Sequence, residues 1–274
     1  NHRKGGRFVL YIAYIDCDGT LLNDQGVISE NTKKALSNFM ELGNKVVLCT
    51  GRPRYLIEDI MPQVHGDHFF ISSNGAEIYN YQTKETLQHL TIEEQDFYQI
   101  YQYAIKHHIR LAAGSGALEF VTQYKRHPQE LYFPENMEHF LQDHPTIQIL
   151  LLDANESVIQ KAKQYFDHHL KTTLVLEKEV NPNEAWISLG NENVSKGNAI
   201  TKLNQYLNIA RENTLVFGND YNDLSMFEVA GTCVAMQNAV PELKEKANHV
   251  ALSNNEDGVA HFLENWIQQS ILNK

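Results

Sequence analysis

Cysteine is scarce. The 274 residues contain three, Cys17, Cys49 and Cys233, each in or beside an apolar stretch. An odd number at wide spacing is no disulfide framework, so a reducing, cytoplasmic setting is expected. Long hydrophobic runs are missing as well. The longest, Phe8 to Ile15, stops at Asp16, well short of the roughly 18–20 residues of a membrane helix, and a soluble protein is expected. Positive charge is in deficit, with 23 Lys plus Arg against 34 Asp plus Glu and a formal charge of −11. The overall field therefore repels nucleic acid and anionic lipid, while a local basic pocket for a small anion stays open. The basic start, Asn1 to Arg7, precedes only about eight apolar residues and no small-residue cleavage site, so it reads as a tail rather than a leader. No internal repeat or low-complexity tract is visible, which argues against a solenoid.

What is present is ordinary globular composition, 42% hydrophobic and 21% charged, in which short β-rich runs alternate with segments of helical period. That pattern predicts a parallel sheet covered by helices. Phe8–Ile15 reads as a strand buried on both faces. Ser29 is placed to cap the next helix and Gly43 to end it. Lys45–Cys49, His68–Ser72, Thr214–Phe217, Thr232–Ala235 and His249–Ala251 read as further strands, with Gly258–Leu272 as a closing amphipathic helix. Between about Tyr81 and Pro182 the texture changes. Strand candidates Thr86–Leu90, Ile109–Ala113, Leu118–Gln123, Ile147–Leu152 and Thr173–Glu177 are interleaved with helices, one opened by a Thr91-to-Glu94 capping box and another over Glu156–Leu170. Polar punctuation at Asn80–Thr83 and Asn181–Glu184 marks the joints. The expected architecture is α/β, with residues 1–80 and 184–274 forming one domain and residues 81–183 a second domain inserted into it.

The first strand runs into Asp16-Cys17-Asp18-Gly19-Thr20-Leu21, at the carboxyl edge where open α/β sheets bind ligands. Two acids forced together can divide the work, one ionised to attack and the other holding a proton to donate. Asp-x-Asp alone is a weak signal, because a solvated acidic turn looks the same. Three later segments supply what phosphoryl transfer needs. Thr50, in Cys49-Thr50-Gly51-Arg52-Pro53, offers a hydroxyl, and the amides from Gly51 onward offer donors near a helix start. Lys196 lies in the first turn of a helix, where a cation opposes the helix dipole, so a role toward an anion is inferred. Gly218-Asn219-Asp220-Tyr221-Asn222-Asp223 places oxygen ligands for a hard cation after a strand.

With these four motifs in order, the chain resembles the haloacid dehalogenase-like hydrolase superfamily, and within it the Cof-type phosphatases with a large cap between the second and third motifs. Met236–Leu243 and Asn255–Ala260 also look like that subfamily. The resemblance implies a Rossmann-like core with an α/β cap, Mg²⁺ dependence and an aspartyl-phosphate intermediate. It implies Asp16 as nucleophile, Asp18 as general acid and then base, and Thr50 and Lys196 on the phosphoryl oxygens. Gly51, Arg52, Asn74 and Asn222 are the further phosphate- or substrate-binding candidates; Arg52 reads equally as a salt-bridged surface residue. The metal ligands implied are the Asp16 side chain, the Asp18 carbonyl and the fourth motif, where this chain has Asn219 in place of the usual aspartate. Asn219, Asp220 and Asp223 are the alternatives there, with Asn219 favoured as ligand and Asp223 in support.

The implied activity is hydrolysis of a small phosphorylated metabolite, a sugar phosphate or a phosphorylated cofactor, with no nucleic-acid or membrane partner. A phosphomutase on the same fold and a non-catalytic phosphometabolite-binding module are the alternatives. The paired histidines His107-His108 and His168-His169, and the run His65–His68, lack the further ligands of a zinc site and read as surface residues. Phe97, Tyr98, Tyr101 and Tyr103 have helical spacing and read as packing residues. An asparagine ligand lowers the charge of a Mg²⁺ site, so Asn219→Asp is expected to tighten Mg²⁺ binding in a calorimetric titration; an unchanged or weaker affinity would contradict that assignment.

Overall fold

The computed structural model describes residues 10–66 and 68–272. The basic start, Phe8 and Val9 of the expected first strand, and Asp67 lie outside the described residues. The chain divides into two units. One takes the described residues up to Cys49, those of Met61–Phe70 and those from Ile200 on; the other takes Thr50–Ile60 and Ile71–Ala199.

In the first unit five parallel strands lie in the order His249–Ala251, Thr232–Met236, Thr214–Gly218, Ile12–Ile15, Lys45–Cys49. Ile12–Ile15 is hydrogen-bonded on both sides, Ile12 standing opposite both Thr214 and Lys45, and all four residues are buried. A strand covered on both faces must be apolar at every position, which is why it reads as an unbroken run. Helix Glu30–Glu41 packs on helix Gly258–Leu272. Its start is held as the sequence suggests, with the Ser29 hydroxyl accepting the Thr32 N–H at 3.1 Å, and Gly43 takes a left-handed φ of 87° just past its end. Because the five strands are parallel, the loops after Ile15, Gly218 and Met236 all leave the same edge.

The second unit contains a six-stranded sheet in the order Thr173–Asn181, Glu184–Asn191, Gln148–Asp153, Arg110–Gly114, Glu119–Val121, Glu130–Tyr132. All pairs are antiparallel except the last. Leu111, Ile149, Leu151 and Ile187 form a core with Phe97 of helix Glu94–Lys106 and Ile159 of helix Glu156–His169. Tyr98, Tyr101 and Tyr103 pack against that core. Side chains alternate along a strand, so Arg110, Gln148, Ser188 and Glu177 belong to the opposite, polar face. His107, His108, His168 and His169 are exposed, as are His65 and His68. The three cysteines are buried and none is in a disulfide; burial pushes the Cys233 thiol up to about 11.

Two local expectations change. The Thr91 capping box does not form: Glu93 is the N-cap and makes no side-chain cap bond. Thr91 and Ile92 are held by tertiary bonds instead, from Asn191 Nδ2 to Thr91 O at 2.9 Å and from Ile92 N to Thr146 O at 2.8 Å. The Asn181–Glu184 run is the turn of a hairpin joining two strands, Asn181 opposite Glu184. Strands Glu77–Asn80, Glu130–Tyr132 and Glu184–Asn191 carry no clear signal, because two of them bury carboxylates. Glu77 is fully buried against Arg54 and accepts the Ser72 hydroxyl at 2.9 Å. Glu130 pairs with buried Arg110 at 2.8 Å.

Asp96 ties the start of helix Glu94–Lys106 to the distant chain. Its buried carboxylate accepts the N–H groups of Lys171 at 3.1 Å and Thr172 at 2.9 Å. Burial works against ionisation, but those backbone bonds outweigh it and hold the pKa below the usual carboxylate value. A depressed folded pKa gives stability that is full above the unfolded value of about 3.9 and is lost as pH falls through the folded one. Asp96→Asn is therefore expected to cost about 1–3 kcal/mol at pH 7 and to shrink the loss of melting temperature between pH 5 and about pH 3, measured by circular dichroism.

Candidate active site

The loop after Ile15 is tightly wound. The Asp16 N–H donates to Phe217 O at 3.1 Å, Leu21 N to Asp16 O at 3.1 Å, and Leu22 N to Cys17 O at 2.9 Å. This winding leaves Asp16 buried, at 5% exposure, and Asp18 exposed. The two acids thus sit in different environments.

Asn219 reaches into this loop from the end of strand Thr214–Gly218. The inward atom of its side-chain amide lies 2.9 Å from Asp16 Oδ2, 3.0 Å from the Asp18 carbonyl oxygen and 3.1 Å from the Thr20 hydroxyl. The other two fourth-motif acids are engaged elsewhere. Asp220 caps its own turn, accepting the Tyr221 N–H at 2.7 Å. Asp223 is buried and its Oδ2 accepts the N–H groups of Asn219 at 2.9 Å and Asp220 at 3.1 Å. Asn222, between them, is half-buried. Gly19, with φ of 72°, lets the Asn219 side chain approach: a Cβ there would lie 2.3 Å from the amide.

A set of asparagines that the sequence motifs do not predict holds the loop from outside. Asn238 Nδ2 donates to Gly19 O at 2.8 Å, and Asn254 N donates to Asn238 Oδ1 at 3.1 Å. Asn254 Nδ2 donates to Leu22 O and to Asp24 Oδ1, both at 3.0 Å. The amides of Asn255 and Asn254 hold the Asp24 carboxyl below its ordinary pKa. The only available signal was the excess of Asn in 237–255, which a surface loop would also show.

In the second unit Thr50 is buried, and its backbone joins two loops. Thr50 N donates to Ile71 O at 3.0 Å, Asn74 N to Thr50 O at 3.0 Å, and Ser73 N to Arg52 O at 2.9 Å. The Thr50 hydroxyl accepts the Arg52 N–H at 3.1 Å. Ser73, Asn74 and Gly75 take φ of 49°, 58° and 103° in succession, a left-handed run that only surrounding bonds can hold. A Cβ on Gly75 would lie 2.3 Å from Ser195 O, so the loop presses on the residue before Lys196. Lys196, first in its helix, is 1% exposed, and an ammonium so buried needs polar or anionic company.

Gly51 and Arg52 are half-buried. Around Gly51 lie three residues that sequence reasoning passed over. Gln148 Nε2 donates to Gly51 O at 3.1 Å and to Ser188 Oγ at 3.0 Å, and Asn74 Nδ2 donates to Glu177 Oε2 at 3.2 Å. Gln148, Ser188 and Glu177 come from three neighbouring strands, a pairing that sequence spacing cannot reveal.

The profile of the haloacid dehalogenase-like hydrolases matches residues 13–263. The Bacillus subtilis (strain 168) protein YxeH is 31% identical over 269 residues, covering 92% of this chain and 97% of its own. The 5-amino-6-(5-phospho-D-ribitylamino)uracil phosphatase YwtE of the same organism is 28% identical over 286 residues, covering 91% and 96%. A haloacid dehalogenase-like hydrolase from Bacteroides thetaiotaomicron superposes with a TM-score of 0.82 at 26% identity, covering 93% of this chain and 99% of that one.

Gly19 offers a sharp test of the site's packing. Gly19→Ala places a Cβ on the Asn219 amide in a backbone conformation that disfavours it, so activity toward an aryl phosphate is expected to fall at least about tenfold, with a stability loss of about 1–3 kcal/mol read by urea unfolding.

Proposed function

The chain belongs to the haloacid dehalogenase-like hydrolase family, with a Rossmann-like core and an inserted α/β cap, and from that footing we propose that it is a Mg²⁺-dependent phosphatase of small phosphorylated metabolites that works through an aspartyl phosphate on Asp16. The observation that carries the reading is the convergence of the buried Asp16 carboxylate, the Asp18 carbonyl and the Thr20 hydroxyl on one side-chain amide, that of Asn219. Similarity to a relative named for a phosphoribityl substrate supports a small phosphate monoester.

Asp16, Asp18 and Asn219 fit a magnesium site. Mg²⁺ prefers oxygen ligands at about 2.0–2.1 Å in an octahedron, whose neighbouring ligands then lie about 2.9 Å apart. The inward amide atom is 2.9 Å from Asp16 Oδ2 and 3.0 Å from Asp18 O, so an inward Oδ1 would stand from each of them at the separation of neighbouring oxygens on one such ion. Asp223 supports that set by fixing the Asn219 backbone. Mg²⁺, when bound, offsets the repulsion between Asp16 and a phosphate dianion, about 4 kcal/mol for two unit charges at 4 Å and an effective dielectric of 20.

The residues then divide the reaction. Asp16 attacks phosphorus, the bond to the alcohol oxygen breaks, and Asp18 gives that oxygen its proton. Asp18, now a base, takes a proton from water as the water oxygen attacks phosphorus and the bond to Asp16 breaks, restoring both carboxyl groups and releasing phosphate. Thr50 and Lys196 hold the equatorial oxygens, with Gly51, Arg52, Asn74 and Asn222 around the phosphate and its leaving group. Asp16→Asn keeps the size and removes the nucleophile; phosphate release from an aryl phosphate with Mg²⁺ is expected to fall at least about 10³-fold, and survival of turnover would refute the assignment. Release of free phosphate rather than formation of an isomer separates this reading from a mutase.

A further inference from the structure

The Asn219 amide sits where three oxygens meet, and its two ends have opposite needs there. With Oδ1 inward it accepts only the Thr20 hydroxyl at 3.1 Å and stands oxygen against oxygen toward Asp16 and Asp18, an arrangement that requires a cation. With Nδ2 inward it donates to Asp16 Oδ2 at 2.9 Å, Asp18 O at 3.0 Å and Thr20 Oγ1 at 3.1 Å. We propose that Asn219 is a positioning residue that stands in for the cation: in the magnesium-free protein its NH₂ group bonds Asp16 and Asp18, and on metal binding the amide makes a half turn to present Oδ1. The half turn rests on the magnesium reading above; the bonds in the metal-free protein do not.

Everything around the amide suits both orientations. Thr20 can donate or accept, because its hydroxyl proton rotates. Gly19 brings no Cβ against the outer end of the amide, and the two ends are nearly equal in size. The backbone stays fixed meanwhile: Asn219 N donates to Asp223 Oδ2 at 2.9 Å, and Asn219 O accepts the Val240 N–H at 2.9 Å. Only a side-chain torsion has to change.

An aspartate at this position would behave differently. Without metal it would set a second carboxylate about 3 Å from Asp16, and neither could be neutralised by a donor from residue 219. Asparagine keeps the ligands assembled when no metal is bound, and gives up affinity because its bonds to Asp16 and Asp18 must break before coordination.

The test compares wild type, Asn219→Asp and Asn219→Ala by thermal unfolding in chelator and in saturating Mg²⁺, with ¹⁵N NMR of the side-chain amides. In chelator both variants are expected to melt about 4 °C or more below wild type. Mg²⁺ should then raise Asn219→Asp by more than wild type, with at least about tenfold tighter binding, while Asn219→Ala should respond least. The wild-type spectrum in chelator should contain one slowly exchanging NH₂ pair, absent from both variants, that shifts and exchanges faster when Mg²⁺ is added. Equal melting of all three proteins in chelator, with a normal Mg²⁺ response, would overturn the role of the amide and leave the magnesium site standing. No Mg²⁺ response in any of them would overturn the magnesium site, and the half turn with it. Should Asn219→Asp fail to fold, Asn219→Ala and the wild-type spectrum still decide the matter.

Discussion

The structure turns on keeping one carboxylate, that of Asp16, at the end of a strand that is buried on both faces. An isolated ionised carboxylate there would cost several kcal/mol in lost hydration. The surrounding chain offsets that cost with donors and a tight backbone. The strand supplies rigidity, since Ile12–Ile15 is paired to neighbours on both sides. The winding of residues 16–22 and the reach of Asn219 supply polar contacts. Asp223 matters through the same group: its carboxylate collects the N–H groups of Asn219 and Asp220 and so fixes the backbone that carries the Asn219 side chain.

The second unit solves a similar problem with backbone rather than charge. Thr50 and Arg52 exchange main-chain bonds with Ser73 and Asn74, and three successive residues are kept in left-handed conformations. Strain of that kind persists only when packing over-determines it. The pressure of Gly75 on Ser195 makes the loop and the start of the Lys196 helix a single packed element. The polar face of the six-stranded sheet meets the same loop, through Gln148 on Gly51 and Glu177 on Asn74.

Much of this was legible in the sequence, for definite reasons. The parallel strands of the first unit announce themselves because double burial leaves only apolar residues, and Ser29 and Gly43 mark the ends of the first helix because capping chemistry is local. Asp16, Asp18, Thr50 and Lys196 stand out as candidates because the motif residues follow one another in order along the chain. Legibility ended where the determining partner is remote in sequence. Thr91 looked like a cap until Asn191 claimed its carbonyl. Glu77 and Glu130 hid their strands because each is buried against an arginine that a local window does not include. Gln148, Ser188 and Glu177 become neighbours only once three strands pair. Asn219 was readable as a departure from the usual aspartate, but not its contact with Asp16 and Asp18, which depends on where two loops 200 residues apart meet.

The buried cysteines carry a practical consequence. Reaction with alkylating or disulfide reagents needs the thiolate and access to it, and Cys233 offers neither, enclosed with its S–H directed at Phe227 O at 3.3 Å and its proton firmly held. A modified Cys233 therefore records that strand Thr232–Met236 has opened. Its labelling rate is a clock, built into the wild-type chain, for how often this strand parts from its neighbours.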